Sequence, residues 1–232
     1  MVQKCSARTL WHLVSPKNFL SLFGIHGPNI NFGTPLQHTM PKVKQFNKEK
    51  VLTAAAEIFR QKGYNGTSID EILKATGLSR SSLYDSFKDK HSLYLESLEF
   101  YKKREQESYE TLAQKKLNGL EKVEWLFKEV VNHLTNNPGD NGCLMVNAAA
   151  EMSKHCEKTS QVICNNKESV QEIFSTWLEE AQNSNDIKLS KPPKTYSPFL
   201  FNALCGLKVM SQSGASKNEL NNVVKVTLDA LV

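Results

Sequence analysis

The chain has no apolar run long enough to cross a bilayer, no dense proline or glycine stretch in its body, and no C-x-x-C spacing among its cysteines. Each absence excludes something. A membrane-spanning helix needs about 20 consecutive apolar residues. Collagen-like and low-complexity chains hold far more glycine and proline than the 11 and 8 present in these 232 residues. Cys5, Cys143, Cys156, Cys164 and Cys205 are odd in number and scattered, which argues against a disulfide framework or a zinc knuckle and for a reducing compartment, the cytoplasm. His155 and Cys156 are the only adjacent pair of soft ligands, without two further ligands nearby, so no metal site is expected. Also missing are a Gly-rich phosphate loop, a nucleophile elbow, an HExxH helix and a paired-carboxylate motif, so neither an enzyme nor a cofactor is implied.

Acidic residues are absent from 1–39, which carry three basic side chains, no sustained helical period and two Gly-containing segments around Pro28 and Pro35. Phe19 to Phe23 is too short and interrupted for a secretory core. Residues 1–39 are therefore expected to be an upstream extension, disordered or loosely packed, with Met40 opening the folded portion. The chain as a whole is 40% hydrophobic, the content of a soluble globular protein, and is long enough to bury a sizeable core. Its charge is uneven. Residues 40–105 hold 13 basic against 9 acidic side chains and residues 106–232 hold 13 against 15, which places the positive balance on the first half, where a polyanion would need it.

That half contains the most informative stretch. Between Asn47 and Leu98 an amphipathic helix precedes Gly63 to Phe87, in which Thr67 can cap a short helix, Gly77 can turn the chain, and Ser79 can cap a second short helix ending at Phe87. Ile69, Ile72 and Leu73 lie on one side of the first, and Leu78, Leu83 and Phe87 supply the turn and the inner side of the second. Arg80, Ser81, Ser82, Tyr84, Asp85 and Ser86 remain outward, a polar surface suited to phosphates and base edges. Two short helices joined by a glycine turn form a helix-turn-helix, here over 68–87.

Phe59, Gly63-Tyr64, Thr67-Ser68-Ile69, Gly77-Leu78-Ser79, Leu83-Tyr84 and Phe87, followed by Lys90 and Leu93, resemble the N-terminal domain of TetR/AcrR-type transcriptional regulators. The resemblance covers roughly Lys44 to Tyr101 and departs at Leu73, where many such motifs place alanine. It implies a DNA-binding domain over 40–104, with Arg80, Ser81, Ser82, Tyr84 and Asp85 facing the major groove and Thr67, Ser68, Ser79 and Lys90 on the DNA backbone. Its partner would be a double-stranded, palindromic operator.

Residues 105–232 read as a second, helical domain. Helices are expected over Lys90–Leu117, Gly119–Thr135, a small-residue run from Cys143, Glu157–Asn183, Ser197–Ser211 and Ser216–Leu231, with a loop from Asn136 to Gly142. The run Gly142 to Glu151 also resembles a segment of TetR-type ligand domains. Trp125, Met145, Asn147, Phe174, Trp177 and Tyr196 are candidates to line a small-molecule pocket. The resemblance further implies that the last two helices form a homodimer interface, for which Leu200, Leu204, Leu207, Leu220, Val224 and Leu228 are the candidates, with Gly206 letting backbones approach. The fold expected is all-α: an N-terminal three-helix domain with a helix-turn-helix, and a C-terminal ligand-binding and dimerisation bundle. The function expected is a repressor released from its operator by a small-molecule effector. A ligand-independent activator, and a helical carrier or enzyme retaining the motif as scaffold, stay open.

Overall fold

The computed structural model describes residues 46–136, 142–152, 154 and 156–231. The expected extension over 1–39, most of the loop before Gly142, and His155 lie outside them. The described helices belong to one compact unit, 45–232. They are α1 (Lys48–Lys62), α2 (Ile69–Thr76), α3 (Arg80–Phe87), α4 (Lys90–Ala113), α5 (Gly119–Asn136), α6 (Leu144–Met152), α7 (Glu157–Asn183), α8 (Pro193–Gln212) and α9 (Lys217–Asp229). The protein is all-α, as its periodicity predicts.

Local chemistry sets most boundaries. The Asn47 side chain accepts from the Lys50 N–H to open α1, and Asp89 accepts from Ser92 to open α4. Gly77 takes φ +70° between α2 and α3, a left-handed turn that costs glycine nothing. Gly119 is fixed by proximity instead, since a Cβ there would lie 1.7 Å from the Trp177 carbonyl oxygen of α7. α8 begins at Pro193, four residues before the expected Ser197, because Pro193 suits a first helical turn. Pro198 inside it lacks the N–H that would reach the Lys194 carbonyl, and the Ser197 hydroxyl donates to that oxygen at 3.2 Å.

Two apolar cores result. The first joins α1 to α4 through Phe59, Ile72, Leu83, Phe87 and Leu98, and it also takes in Met145, Ala148 and Met152 of α6 and Val162 of α7. The second closes α4, α5, α7, α8 and α9 around Phe127, Phe174, Leu178, Leu204 and Leu220. α6 is thus part of the core beneath the helix-turn-helix, which ties that motif to the bundle.

Candidate nucleic-acid interface and effector cavity

Ser68 caps α2 with a reciprocal pair of bonds: its Oγ accepts from Glu71 N–H at 3.2 Å, and the Glu71 carboxylate accepts from Ser68 N–H at 2.8 Å. The Lys62 ammonium, followed by the Ser68 N–H and hydroxyl that donate to the same carboxylate, holds the Glu71 carboxyl down at about 2. Ser79 caps α3 by accepting from Ser82 N–H at 3.1 Å. Leu83 and Phe87 are buried beneath α3 and leave Arg80, Ser81, Tyr84 and Asp85 outward, with Ser82 half-buried. Arg80 reaches Asp70 of α2 at 2.6 Å, an exposed pair whose charge water largely screens. Tyr84 is 41% exposed, a large aromatic in water that no packing in the protomer explains. Leu73, larger than the alanine of many such motifs, is half-buried against the first core.

Thr67 corrects the expectation. Its neighbour Ser68 is the cap, while the Thr67 side chain is buried and its hydroxyl donates to the Gly63 carbonyl at 2.6 Å. It braces the turn and has no face for a phosphate. Lys90, at the first position of α4, lies half-buried with its Nζ 4.3 Å from the centre of the Tyr64 ring. Burial lowers its pKa against the opposing pull of Glu151 and Glu71.

Glu151 of α6 accepts from the backbone N–H groups of Tyr64 and Asn65 at 2.7 and 2.6 Å, a charge-assisted clamp on the loop that leads into α2. Asn147, expected in a ligand pocket, is a second tie across the same junction: it donates to the Arg60 carbonyl at 3.0 Å and accepts from Gln212 at 3.0 Å.

A cavity of about 660 Å³ lies among α1, α4, α5 and α8. Of the six residues expected to line a pocket, only Trp125 does so. Met145, Phe174 and Trp177 are buried in the two cores, and the Tyr196 hydroxyl pairs with Ser190 at 2.9 Å away from the cavity. The lining that the sequence did not reveal includes Glu57 and Arg60 of α1, Tyr101, Glu105 and Tyr109 of α4, His133 of α5, Cys143, and Lys208 of α8. Their positions range from 57 to 208, so no local pattern could gather them. Arg60 binds the Glu57 carboxylate through two nitrogens and donates to the Gly142 carbonyl at 3.2 Å. Lys208 Nζ lies 3.1 Å from Glu105 and 3.3 Å from the Cys143 sulfur, with the Tyr101 hydroxyl 3.8 Å from that sulfur. Burial disfavours the Lys208 charge, but Cys143 and Glu105 outweigh it and hold the ammonium well above the usual lysine range.

The expected dimer residues also need correction. Leu200, Leu204, Leu207, Leu220 and Val224 are all buried within the protomer's own second core, and Leu228 packs half-buried against it. A different stripe faces out on α8. Phe199 and Val209 are 41% and 45% exposed, Ala203 and Met210 are half-buried with one side against the second core, and a Cβ on Gly206 would meet no atom within 4 Å. Positions 199, 203, 206 and 210 share one helical face. Val226 of α9 is 68% exposed.

Among the described residues no group of three or more His, Cys, Asp or Glu side chains is arranged for a metal, and no helix is long and apolar enough to cross a membrane.

A three-helix head whose second short helix lies bare and polar, fused to a helical bundle, defines a helix-turn-helix regulator. Comparison with known proteins agrees: residues 51–96 match the model of bacterial regulatory proteins of the tetR family, and residues 119–226 match a tetracyclin repressor-like C-terminal domain. The chain belongs to the TetR family of DNA-binding transcriptional regulators, which are not enzymes. It is 24% identical over 193 residues to the uncharacterized HTH-type transcriptional regulator YezE of Bacillus subtilis, covering 83% of this chain and 100% of that one. It is 24% identical over 189 residues to the HTH-type transcriptional repressor ComR of Escherichia coli, covering 81% and 89% respectively. The fold superposes on the reduced form of E. coli NemR with a TM-score of 0.74 at 19% identity, covering 80% of this chain and 96% of that one. It superposes on the TetR-family regulator CifR, a cysteine mutant complexed with 26-bp operator DNA, with a TM-score of 0.71 at 23% identity, covering 80% and 97%.

Proposed function

We propose that this regulator is a cytoplasmic homodimeric repressor that leaves a palindromic operator when a small molecule fills the cavity among α1, α4, α5 and α8. Residues 40–104 supply the DNA-reading head and residues 105–232 the effector-binding and dimerisation bundle. Arg80, Ser81, Ser82, Tyr84 and Asp85 read the groove, and Ser68, Ser79 and Lys90 hold the backbone. Tyr84 is the most exposed aromatic of the head, and its neighbours offer the hydrogen-bonding groups that base edges and phosphates require.

One observation carries the effector reading: the cavity wall includes Glu57 and Arg60 of α1, the helix that braces the reading motif. An occupant that draws Arg60 from the Gly142 carbonyl acts on the head directly. The ligand must favour a conformer whose two reading helices are wrongly spaced for the groove, because equal affinity for both conformers shifts nothing. A volume of about 660 Å³ suits a drug-sized molecule with a few polar groups.

Dimerisation rests on the outward α8 stripe, since Gly206 in mid-helix costs about 1 kcal/mol relative to alanine and the protomer shows no contact that requires it. Repression is supported by the relative ComR, a transcriptional repressor. The test is a titration of Trp125 fluorescence with candidate effectors, in the presence and absence of bound duplex. DNA must weaken the effector by the same factor by which the effector weakens DNA, roughly 5–150-fold for ordinary coupling. Equal effector affinity in both titrations refutes release.

A further inference from the structure

Cys156 stands apart from the other described thiols. It is the N-cap of α7, a helix of 27 residues, and accepts from Thr159 N–H at 3.5 Å. Its sulfur lies 3.2 Å from Nε2 of His91, in the first turn of α4. The Thr159 hydroxyl beside it is fully buried without a hydrogen-bond partner of ordinary geometry. An anionic sulfur is the acceptor that this hydroxyl lacks. Backbone donors at a helix start, an adjacent imidazole and an unsatisfied hydroxyl together favour a thiolate and supply a base for it.

We propose that Cys156 is a modification site, at which the thiol exchanges with a low-molecular-weight disulfide of the glutathione class, and that the adduct weakens DNA binding through His91 and Lys90. The Cys156 sulfur attacks one sulfur of the disulfide. A bond forms between them, the original S–S bond breaks, and the departing thiolate takes the proton that His91 accepted from Cys156. The disulfide itself is the oxidant, so no further reagent enters.

The other described cysteines are less suited. Cys143 is buried, burial pushes the Cys205 thiol up to about 11, and Cys164 is engaged as a donor to the Glu168 carboxylate at 3.3 Å. At Cys156 burial also works against the thiolate, but the Thr159 and Lys158 donors outweigh it and bring the thiol below its usual range. Among the described residues, the phenols of Tyr64 and Tyr94 also lie near the sulfur, both held above their usual range, chiefly by burial.

The route to DNA is two side chains long. The adduct forms beside the His91 ring, whose Nε2 is 3.2 Å from the Cys156 sulfur and which it is proposed to displace; that ring sits edge-on to Tyr64 at 5.7 Å, and Tyr64 in turn carries the Lys90 ammonium on its face. Displacing His91 disturbs the turn of α4 that holds Lys90. This consequence rests on the DNA-binding reading of α3 and Lys90; the reactivity does not.

The experiment has two arms. Iodoacetamide labelling of the full chain at pH 7, followed by peptide mass analysis, gives a rate for each cysteine, with Cys156 expected roughly tenfold faster than Cys164. His91→Gln and the isosteric Thr159→Val should each slow Cys156 severalfold while circular dichroism shows the fold intact. Equal rates at Cys156 and Cys164, or a Cys156 rate that both variants leave unchanged, overturns the site. In the second arm, protein treated with oxidised glutathione should gain one adduct at Cys156 and bind a duplex selected from a random library about tenfold more weakly, with Cys156→Ser unaffected. An adduct at Cys156 that leaves affinity unchanged overturns the regulatory role. Failure of untreated protein to select any duplex would refute the DNA reading instead, and the labelling rates would still decide the site.

Discussion

Replacing Gly206 with leucine should act in opposite directions on the protomer and on the dimer. Within the protomer a Cβ at this position meets nothing within 4 Å, so relief of the entropic penalty of glycine is expected to add roughly 0.5–1 kcal/mol of helix stability. If the stripe of Phe199, Ala203, Gly206 and Met210 packs against its twofold mate, the same side chain enters a close backbone contact. Overpacking of that kind costs about 1–3 kcal/mol at each site. A twofold interface meets it twice, for about 2–6 kcal/mol in all. The dimer dissociation constant should then rise between roughly 30-fold and 20,000-fold. Sedimentation equilibrium over nanomolar to micromolar concentration measures it directly. Leu204→Glu is the contrast: it places a charge among the buried side chains of the second core and should unfold the protomer, not divide two intact ones. A Gly206→Leu protein that dimerises as wild type does would remove α8 from the interface, and a wild type monomeric at micromolar concentration would remove the interface altogether.

Tyr84→Ala should lose about 1–3 kcal/mol of affinity for a selected duplex with the fold unchanged, measured by fluorescence anisotropy. Lys90→Ala should weaken all duplexes and reduce the slope of log affinity against log salt by about one, which a titration at several salt concentrations checks. Glu151→Ala leaves the Tyr64 and Asn65 amides without their carboxylate and should cost about 2 kcal/mol in urea unfolding. Glu71 has a depressed carboxyl, so its contribution to stability is present above its ordinary 4.5 and lost as the pH falls towards about 2. The melting temperatures of wild type and Glu71→Gln should therefore differ at pH 6 and converge across that window; a gap that persists at pH 2 would contradict the assignment.

The helix-turn-helix was legible because its determinants are local. Ser79 and Gly77 occupy positions whose backbone roles sequence alone can assign, and the error at α2 was one residue between two adjacent hydroxyls, Thr67 and Ser68. α7 was legible from end to end for the same reason, with an apolar period interrupted by the buried Asn166 between Val162 and Leu178, and a polar stop. α8 was harder because it is apolar on two faces. Leu200, Leu204 and Leu207 interleave with Phe199, Ala203, Gly206 and Met210, and a period of 3.6 residues cannot say which stripe meets its own core. The cavity was the least legible feature. Arg60, Glu105 and Lys208 meet across more than a hundred residues of chain, and the aromatic side chains that suggested a pocket, Phe174 and Trp177, fill the core instead.

Selection of duplexes from a random-sequence library by the purified protein tests the central claim most directly, with Arg80→Ala and Tyr84→Ala proteins carried through in parallel. One enriched palindrome is expected, with half-sites about one helical turn, 34–36 Å, or a multiple of it apart. The two variants should show changed base preference at the half-site positions. Failure to enrich any sequence, or an enriched sequence that both variants bind with wild-type affinity and preference, would contradict a DNA-reading role for α3.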